Sequence, residues 1–284
     1  METENWKGRI RYLINKGQIN EAMNVEYEAS QANFDEVADF LNEMGCVTGE
    51  KDFQAAEEIF NKLIEIDPEN KEVYYNRGNL YMDNGKLDEA IKDYTSALSL
   101  NENADTYLHR GLAFLDKGNP ARAIEDFDNA LEIEAGDVKA SRAYHYKGLA
   151  YLADEESIKA INCFNEAIKI NPAFSKPYVY RGLAYLNNDE TDKAIDDLKK
   201  AIELDKDNWE AHAYLGLSYL NGEDIDMAIT EYDKAIELNP TDPQSYYYRG
   251  LAYCSKGNLV KADEDYKTAV KFDPELAKCP YESL

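Results

Sequence analysis

Between Ser175 and Asn208 the apolar positions fall into two blocks, each with helical spacing. Tyr178, Arg181, Gly182 and Tyr185 lie at i, i+3, i+4 and i+7, which is one face of an α-helix. Asn187-Asn188-Asp189 interrupts the pattern and reads as a turn. Ala194, Ile195, Leu198, Ala201 and Ile202 resume the spacing on a second helix, closed by Asp205 and Asn208. The unit is a helix hairpin. Its small residues have a packing reason: a glycine inside a helix costs about 1 kcal/mol against alanine, so a recurring one marks close backbone approach.

The pattern returns over Trp209–Asp242 as Gly216, Ala228 and Ala235, and again as Gly250, Ala262 and Ala269. A fixed period of this length is the mark of stacked repeats. Read in register, residues 1–276 form a single array of about eight repeats. These are 3–36 (degenerate), 37–70, 71–103, 104–140, 141–174, 175–208, 209–242 and 243–276, with a C-terminal tail at 277–284. In the first, Trp6, Leu13, Gly17, Ala22 and Ala29 hold their expected places. In the second, Met44 takes the glycine place, with Gly45 beside it. The copy at 104–140 carries three extra residues near Glu134–Ala140, which predicts a longer second helix or a longer connection. Pro68, Pro172, Pro240 and Pro274 stand where a second helix has ended, since proline cannot continue one.

Tyr178, Gly182, Tyr185, Ala194, Leu198 and Ala201, with a proline after the second helix in several copies, resemble the tetratricopeptide repeat. The resemblance covers nearly the whole chain. It implies an all-α solenoid, a right-handed superhelix of antiparallel helix hairpins, that serves as a non-enzymatic scaffold binding a peptide or partner helix.

Each first helix carries a second stripe, and the resemblance implies that this stripe lines a concave groove. Its candidate binding residues are Tyr75, Asn76, Asn79, His109, His145, Tyr146, Val179, Tyr180, Asn187, Tyr214, Tyr247 and Tyr248. Tyr146, Tyr180, Tyr214 and Tyr248 recur at 34-residue intervals and form a ladder. Tyrosines give rigid contact area with a polar tip, which suits recognition. The competing reading is that Leu183, Leu217 and Leu251 pack first helices together and the tyrosines fill the seams. The two-carboxylate clamp of chaperone-binding relatives is incomplete: Asn79 and Arg142 match, whereas Tyr75, His109 and Tyr146 do not. An asparagine ladder that grips peptide backbone would begin at Asn42 and Asn76 but continues as His109 and tyrosines. Arg77, Arg110, Arg181 and Arg249, with Lys147, precede the glycine of their helices. They would reach Asp93, Asp126, Asp197 and Asp265 of the adjacent helix or, alternatively, carboxylates of a partner.

Lys+Arg is 31 against Asp+Glu 56, a net charge of −25. Nucleic acid and anionic membrane surfaces are thereby disfavoured, because both demand a basic face. A basic partner, or one presenting apolar or aromatic groups, fits better. The four cysteines, Cys46, Cys163, Cys254 and Cys279, share no short spacing, so neither a zinc site nor a disulfide framework is expected. No cofactor is expected. His109 and His145 lie on the groove stripe and His212 at an intra-repeat aromatic place; no ligand spacing, phosphate loop or nucleophile elbow accompanies them. No apolar signal core opens the chain and no stretch is long enough to span a bilayer, so the expectation is a cytoplasmic protein without membrane insertion.

The expected function is binding in the concave aromatic groove, and the chain is not expected to be an enzyme. The alternative is a structural or assembly role through homo-oligomerisation at the C-terminal end, a homodimer formed by Tyr266, Val270 and Phe272 with Leu259 partly covered. The short tail, which contains Pro280, would cover little of that end, unless Tyr281 or Leu284 folds back onto it. A domain belonging to a longer enzyme chain is the third class.

Overall fold

A computed structural model describes residues 5–19, 21–22, 34–49, 52–134 and 138–278. The expectations at Ala29, Cys279, Tyr281 and Leu284 fall outside these residues. Among them the chain is all-α, with fifteen α-helices. Packing divides it into two compact units, Met1–Ala135 and Gly136–Leu284.

The first unit holds α1 (Asn5–Asn15), α2 (Phe34–Gly49), α3 (Phe53–Ile66), α4 (Lys71–Asp83), α5 (Leu87–Leu100), α6 (Ala104–Asp116) and α7 (Pro120–Ile133). The second holds α8 (Ala140–Ala153), α9 (Ser157–Ile170), α10 (Ser175–Leu186), α11 (Thr191–Leu204), α12 (Trp209–Asn221), α13 (Ile225–Leu238), α14 (Pro243–Ser255) and α15 (Leu259–Phe272). From α2 onward, within each unit, every first helix packs on the second helix of its hairpin, and each second helix packs on the first helix that follows.

Local chemistry sets the boundaries. Asn70, Asn103, Asn208 and Asp242 cap first helices by accepting hydrogen bonds from backbone N–H groups two or three residues on. The turn inside the hairpin takes one left-handed residue. It is Gly85, Gly118 and Gly257 in three copies and Glu155, Asp189 and Glu223 in three others. Tyr178 and Tyr246 reach back to donate to the carbonyls of Pro172 and Pro240, each at 3.2 Å, tying first helix to preceding loop.

The recurrent glycine is a socket for a side chain of the second helix. A Cβ built on Gly148 would stand 2.5 Å from the Phe164 ring, and one on Gly111 would stand 2.6 Å from Phe127. This test corrects the reading of the second copy. Gly45, not Met44, is the socket, because its Cβ would meet Phe60 at 2.7 Å. Met44 is instead a buried core side chain.

Two further expectations resolve. α7 keeps the 14 residues of its counterparts, so the extra residues near Glu134–Ala140 do not lengthen the second helix. At the end of the second unit, the 3₁₀ segment Pro274–Lys278 packs on α15, and the Tyr266 hydroxyl donates to the Ala277 carbonyl at 3.4 Å. Tyr266 and Val270 are consequently half-buried, and Phe272 is 41% exposed with its ring stacked on Tyr246. Leu259, expected to be partly covered, is instead 68% exposed as the first residue of α15, whose buried residues are Ala262, Asp265 and Ala269.

Candidate functional site

The four arginines are committed within the fold. Arg77, Arg110, Arg181 and Arg249 each grip the aspartate 16 residues on, Nε to Oδ2 and Nη2 to Oδ1, at 2.6–2.8 Å. The remaining Nη1 reaches the preceding hairpin, donating to Asn61, Thr95, Asn165 and Asp233 respectively. For Arg77, Arg181 and Arg249, burial opposes the charge, yet the aspartate bonds outweigh it and raise the pKa. The copy at 209–242 has Leu215 where an arginine would stand, with Glu231 opposite. There His212 meets Glu231 at 2.6 Å, and Lys234 adds a bond at 3.0 Å. The histidine thus replaces the missing guanidinium, which explains its presence at an aromatic place.

In the first unit the polar groove residues bond to one another. Asn76 donates to Asn42 at 3.0 Å, and the Tyr94 hydroxyl donates to Asn79 at 2.7 Å. Tyr75 meets His109 at 3.3 Å, and the same His109 nitrogen lies 2.7 Å from the Asp105 carbonyl. Tyr75 and Asn76 line a shallow polar pocket with Asn101 and Asn103.

In the second unit the tyrosine ladder is half-buried at every step. Tyr180 stacks on Phe164 and Tyr248 stacks on Tyr232, each ring lying on the second helix of the preceding hairpin. Tyr180 and Tyr248 therefore fill seams between successive hairpins while staying half-buried. The Tyr180 hydroxyl donates to Glu210 at 2.8 Å, and burial together with that carboxylate pushes its pKa up. Val179 is fully buried, so it backs the surface rather than forming it. His145 is 2% exposed, boxed by Tyr146, Phe164, Phe174 and Tyr180 with ring centroids 5.2–5.9 Å away. Burial, then the charge of Lys176, depresses its pKa to about 3.

A pocket of about 370 Å³ joins three successive first helices, α10, α12 and α14. It brings together Asn187, Tyr214 and Tyr248 of the expected set, over apolar walls from Leu183, Ala213 and Leu217. It also draws in Trp209, Glu210 and Asp242, which the stripe reading missed because they stand at the N-terminal ends of their helices. His145 and Tyr146 line a separate pocket with Lys139, Arg142 and Lys176. Tyr247 lies beside the ladder, its ring edge-on to Tyr248.

Family profiles described as tetratricopeptide repeat match residues 72–103, 108–175, 175–208 and 243–276, with a further match at 48–70 and one described as TPR repeat at 218–257. The chain belongs to the tetratricopeptide repeat family. This tetratricopeptide repeat protein shares its fold with a solved APC/C hetero-tetramer, Cut9–Hcn1, at TM-score 0.65 and 20% identity over 88% of this chain and 49% of that one. The chain thus spans about half the length of that matched chain. It is also similar to the C-terminal part of a TPR repeat-containing protein from Cytophaga hutchinsonii, at TM-score 0.58 and 23% identity, covering 84% of this chain and 95% of that one. The pilF protein of Pseudomonas aeruginosa matches at TM-score 0.61 and 16% identity, covering 72% and 92%. Identities this low speak to fold alone. No curated relative matches the sequence. Proteins of the tetratricopeptide repeat family are protein–protein interaction scaffolds and are generally non-enzymatic.

Among the described residues no cluster of His, Cys, Asp or Glu has the arrangement of a metal site. No described helix is long and apolar enough to cross a membrane. Cys46 and Cys254 are free thiols, and burial raises the pKa of both.

Proposed function

We propose that the protein binds an extended peptide or partner helix along the tyrosine ladder of its second unit. One observation carries the reading. The pocket between α10, α12 and α14 gathers Tyr214, Tyr248, Leu183 and Leu217 from three consecutive hairpins into one concave, mainly apolar site. Aromatic anchors set in a desolvated pocket are where binding energy concentrates. The first unit supports the choice of the second, since Asn76 and Asn79 are engaged by Asn42 and Tyr94. Peptides selected from a random displayed library against the wild-type chain would be titrated by calorimetry. Tyr180→Ala/Tyr214→Ala should weaken them by about 2 kcal/mol or more. Unchanged affinity in a folded double variant would refute the groove.

A second reading, assembly between copies, is favoured by the exposure of Leu259 (68%), Val260 (71%) and Phe272 (41%) on α15. Light scattering across a concentration series, on wild type and Val270→Glu/Phe272→Lys, separates it from peptide binding. A wild type that stays monomeric would dismiss it.

A further inference from the structure

The pocket between α10, α12 and α14 is lined by Tyr232 and Ser245, whose buried hydroxyls have no hydrogen-bond partner among the described residues. Tyr232 is 1% exposed and Ser245 is fully buried. Comparison between repeats makes the first of these conspicuous. Tyr94 occupies the same place four copies earlier in the array, and its hydroxyl is satisfied by Asn79 at 2.7 Å. The residue corresponding to Asn79, directly after the socket glycine, is Leu217 in the later copy, which offers no acceptor. The copies at 104–140, 141–174 and 175–208 also have leucine there (Leu112, Leu149 and Leu183), but they pair it with Phe127, Phe164 and Leu198, which carry no hydroxyl. The last two copies, 209–242 and 243–276, set a tyrosine opposite a leucine (Leu217 with Tyr232, Leu251 with Tyr266), but the Tyr266 hydroxyl donates to the Ala277 carbonyl at 3.4 Å, whereas that of Tyr232 has no partner among the described residues. Buried polar groups are ordinarily paired, and one that is not calls for a partner from outside.

The rest of the lining says what that partner is. Glu210 and Asp242 line it together with Leu183, Leu217, Tyr214 and Tyr248. No lysine or arginine lines it. The negative potential is already felt by Tyr214, whose pKa is raised by burial and then by the charges of Glu210 and Asp242.

We infer that this pocket takes the side chain of an arginine from the partner segment, its guanidinium meeting Glu210, Asp242, Tyr232 Oη and Ser245 Oγ. The inference rests on the groove reading and gives it a specificity. Four oxygens match a planar fork of five N–H donors better than a compact ammonium. The arginine stem packs on the leucines, and its flat cation lies on the tyrosine rings. The net charge of −25 draws such a partner in.

The experiment uses probes in place of the unknown partner. Methyl-labelled protein is titrated in the NMR spectrometer with n-butylguanidinium, n-butylammonium, n-pentanol and pentanoate. Butylguanidinium should shift the Leu183 and Leu217 methyls saturably, more tightly than butylammonium. Glu210→Gln/Asp242→Asn should weaken it about tenfold. The fold should be retained, because Gln still accepts from Tyr180 and Asn still caps α14. Tyr232→Phe should weaken it severalfold without lowering the thermal midpoint, since the hydroxyl satisfies nothing in the free protein. Pentanol binding as well as butylguanidinium, or Tyr232→Phe binding it as well as wild type, would overturn the assignment while leaving an apolar groove intact. The groove reading falls by its own test, unchanged peptide affinity in Tyr180→Ala/Tyr214→Ala.

Discussion

Arg181 holds Asp197 by two parallel hydrogen bonds of 2.6 Å, and its third nitrogen reaches Asn165 on the hairpin before. One side chain thereby joins α9, α10 and α11, so it fixes the register between hairpins as well as within one. Both partners are largely shielded, with side chains 16% and 11% exposed. Breaking such a pair costs more than never having built it, because the survivor is left charged and unpaired. Asp197→Ala should therefore destabilise the chain by about 3 kcal/mol in urea unfolding, and Arg181→Met/Asp197→Leu by clearly less. A double variant as damaged as Asp197→Ala would contradict this account.

That pairing was legible in the sequence. Arginine and aspartate recur 16 residues apart in four copies, and two helices joined by a fixed turn convert that interval into contact. The ladder was legible for the same reason, as a period. What the sequence reading lost were departures from the period. Phe174 occupies the place where other copies put a capping Asn70, Asn208 or Asp242; it makes no cap bond, and its ring covers His145 instead. Leu215 likewise announces that Glu231 needs another partner, supplied by His212. Both signals were present, but only as exceptions, and their meaning depends on which rings the next hairpin brings. The orphan hydroxyl of Tyr232 is of this kind too.

The socket glycines give a second prediction. A Cβ at Gly148 would sit 2.5 Å from Phe164, a side chain that is fully buried and cannot yield, whereas one at Gly222 would find its nearest neighbour at 3.5 Å. Gly148→Ala should cost about 1–3 kcal/mol by overpacking, despite alanine's better helix propensity. Gly222→Ala should be near neutral. Thermal midpoints that rank the two the other way round would refute the socket.

Turn residues supply a pair of opposite sign. Glu223 adopts φ 62°, while Gly85 holds the corresponding turn at φ 69°. The left-handed region costs a residue with a Cβ about 1 kcal/mol or more. Glu223→Gly should accordingly raise stability by a few tenths to about 1 kcal/mol, and Gly85→Glu should lower it by about 1 kcal/mol. Calorimetric melting of both variants checks it; shifts of the same sign would mean that charge, not backbone, governs the turn.

The last prediction concerns pH. His145 is buried among four aromatic rings, its Nδ1 has no hydrogen-bond partner among the described residues, and its pKa falls from 6.5 to about 3. Burial is the main cause; the ammonium of Lys176 adds to it, and Lys139 and Arg142 line the same pocket. In the unfolded chain the imidazole takes up a proton near pH 6.5. Between about pH 6.5 and 3 the unfolded state thus binds more protons than the folded one, so stability rises with pH in that window. The contribution is complete above pH 6.5 and is lost progressively on acidification, by about 2 kcal/mol at pH 5. The carboxylates that give the chain its acidity also titrate, so the comparison has to be differential. His145→Leu places at this position the residue that Leu108 supplies in an earlier copy, and it leaves every carboxylate in place. Urea unfolding at pH 7.5 and pH 5.0 should show wild type losing about 2 kcal/mol more than His145→Leu over the same interval. If the two lose the same amount, His145 titrates as freely in the folded protein as in the unfolded one, and the aromatic box does not exclude its charged form.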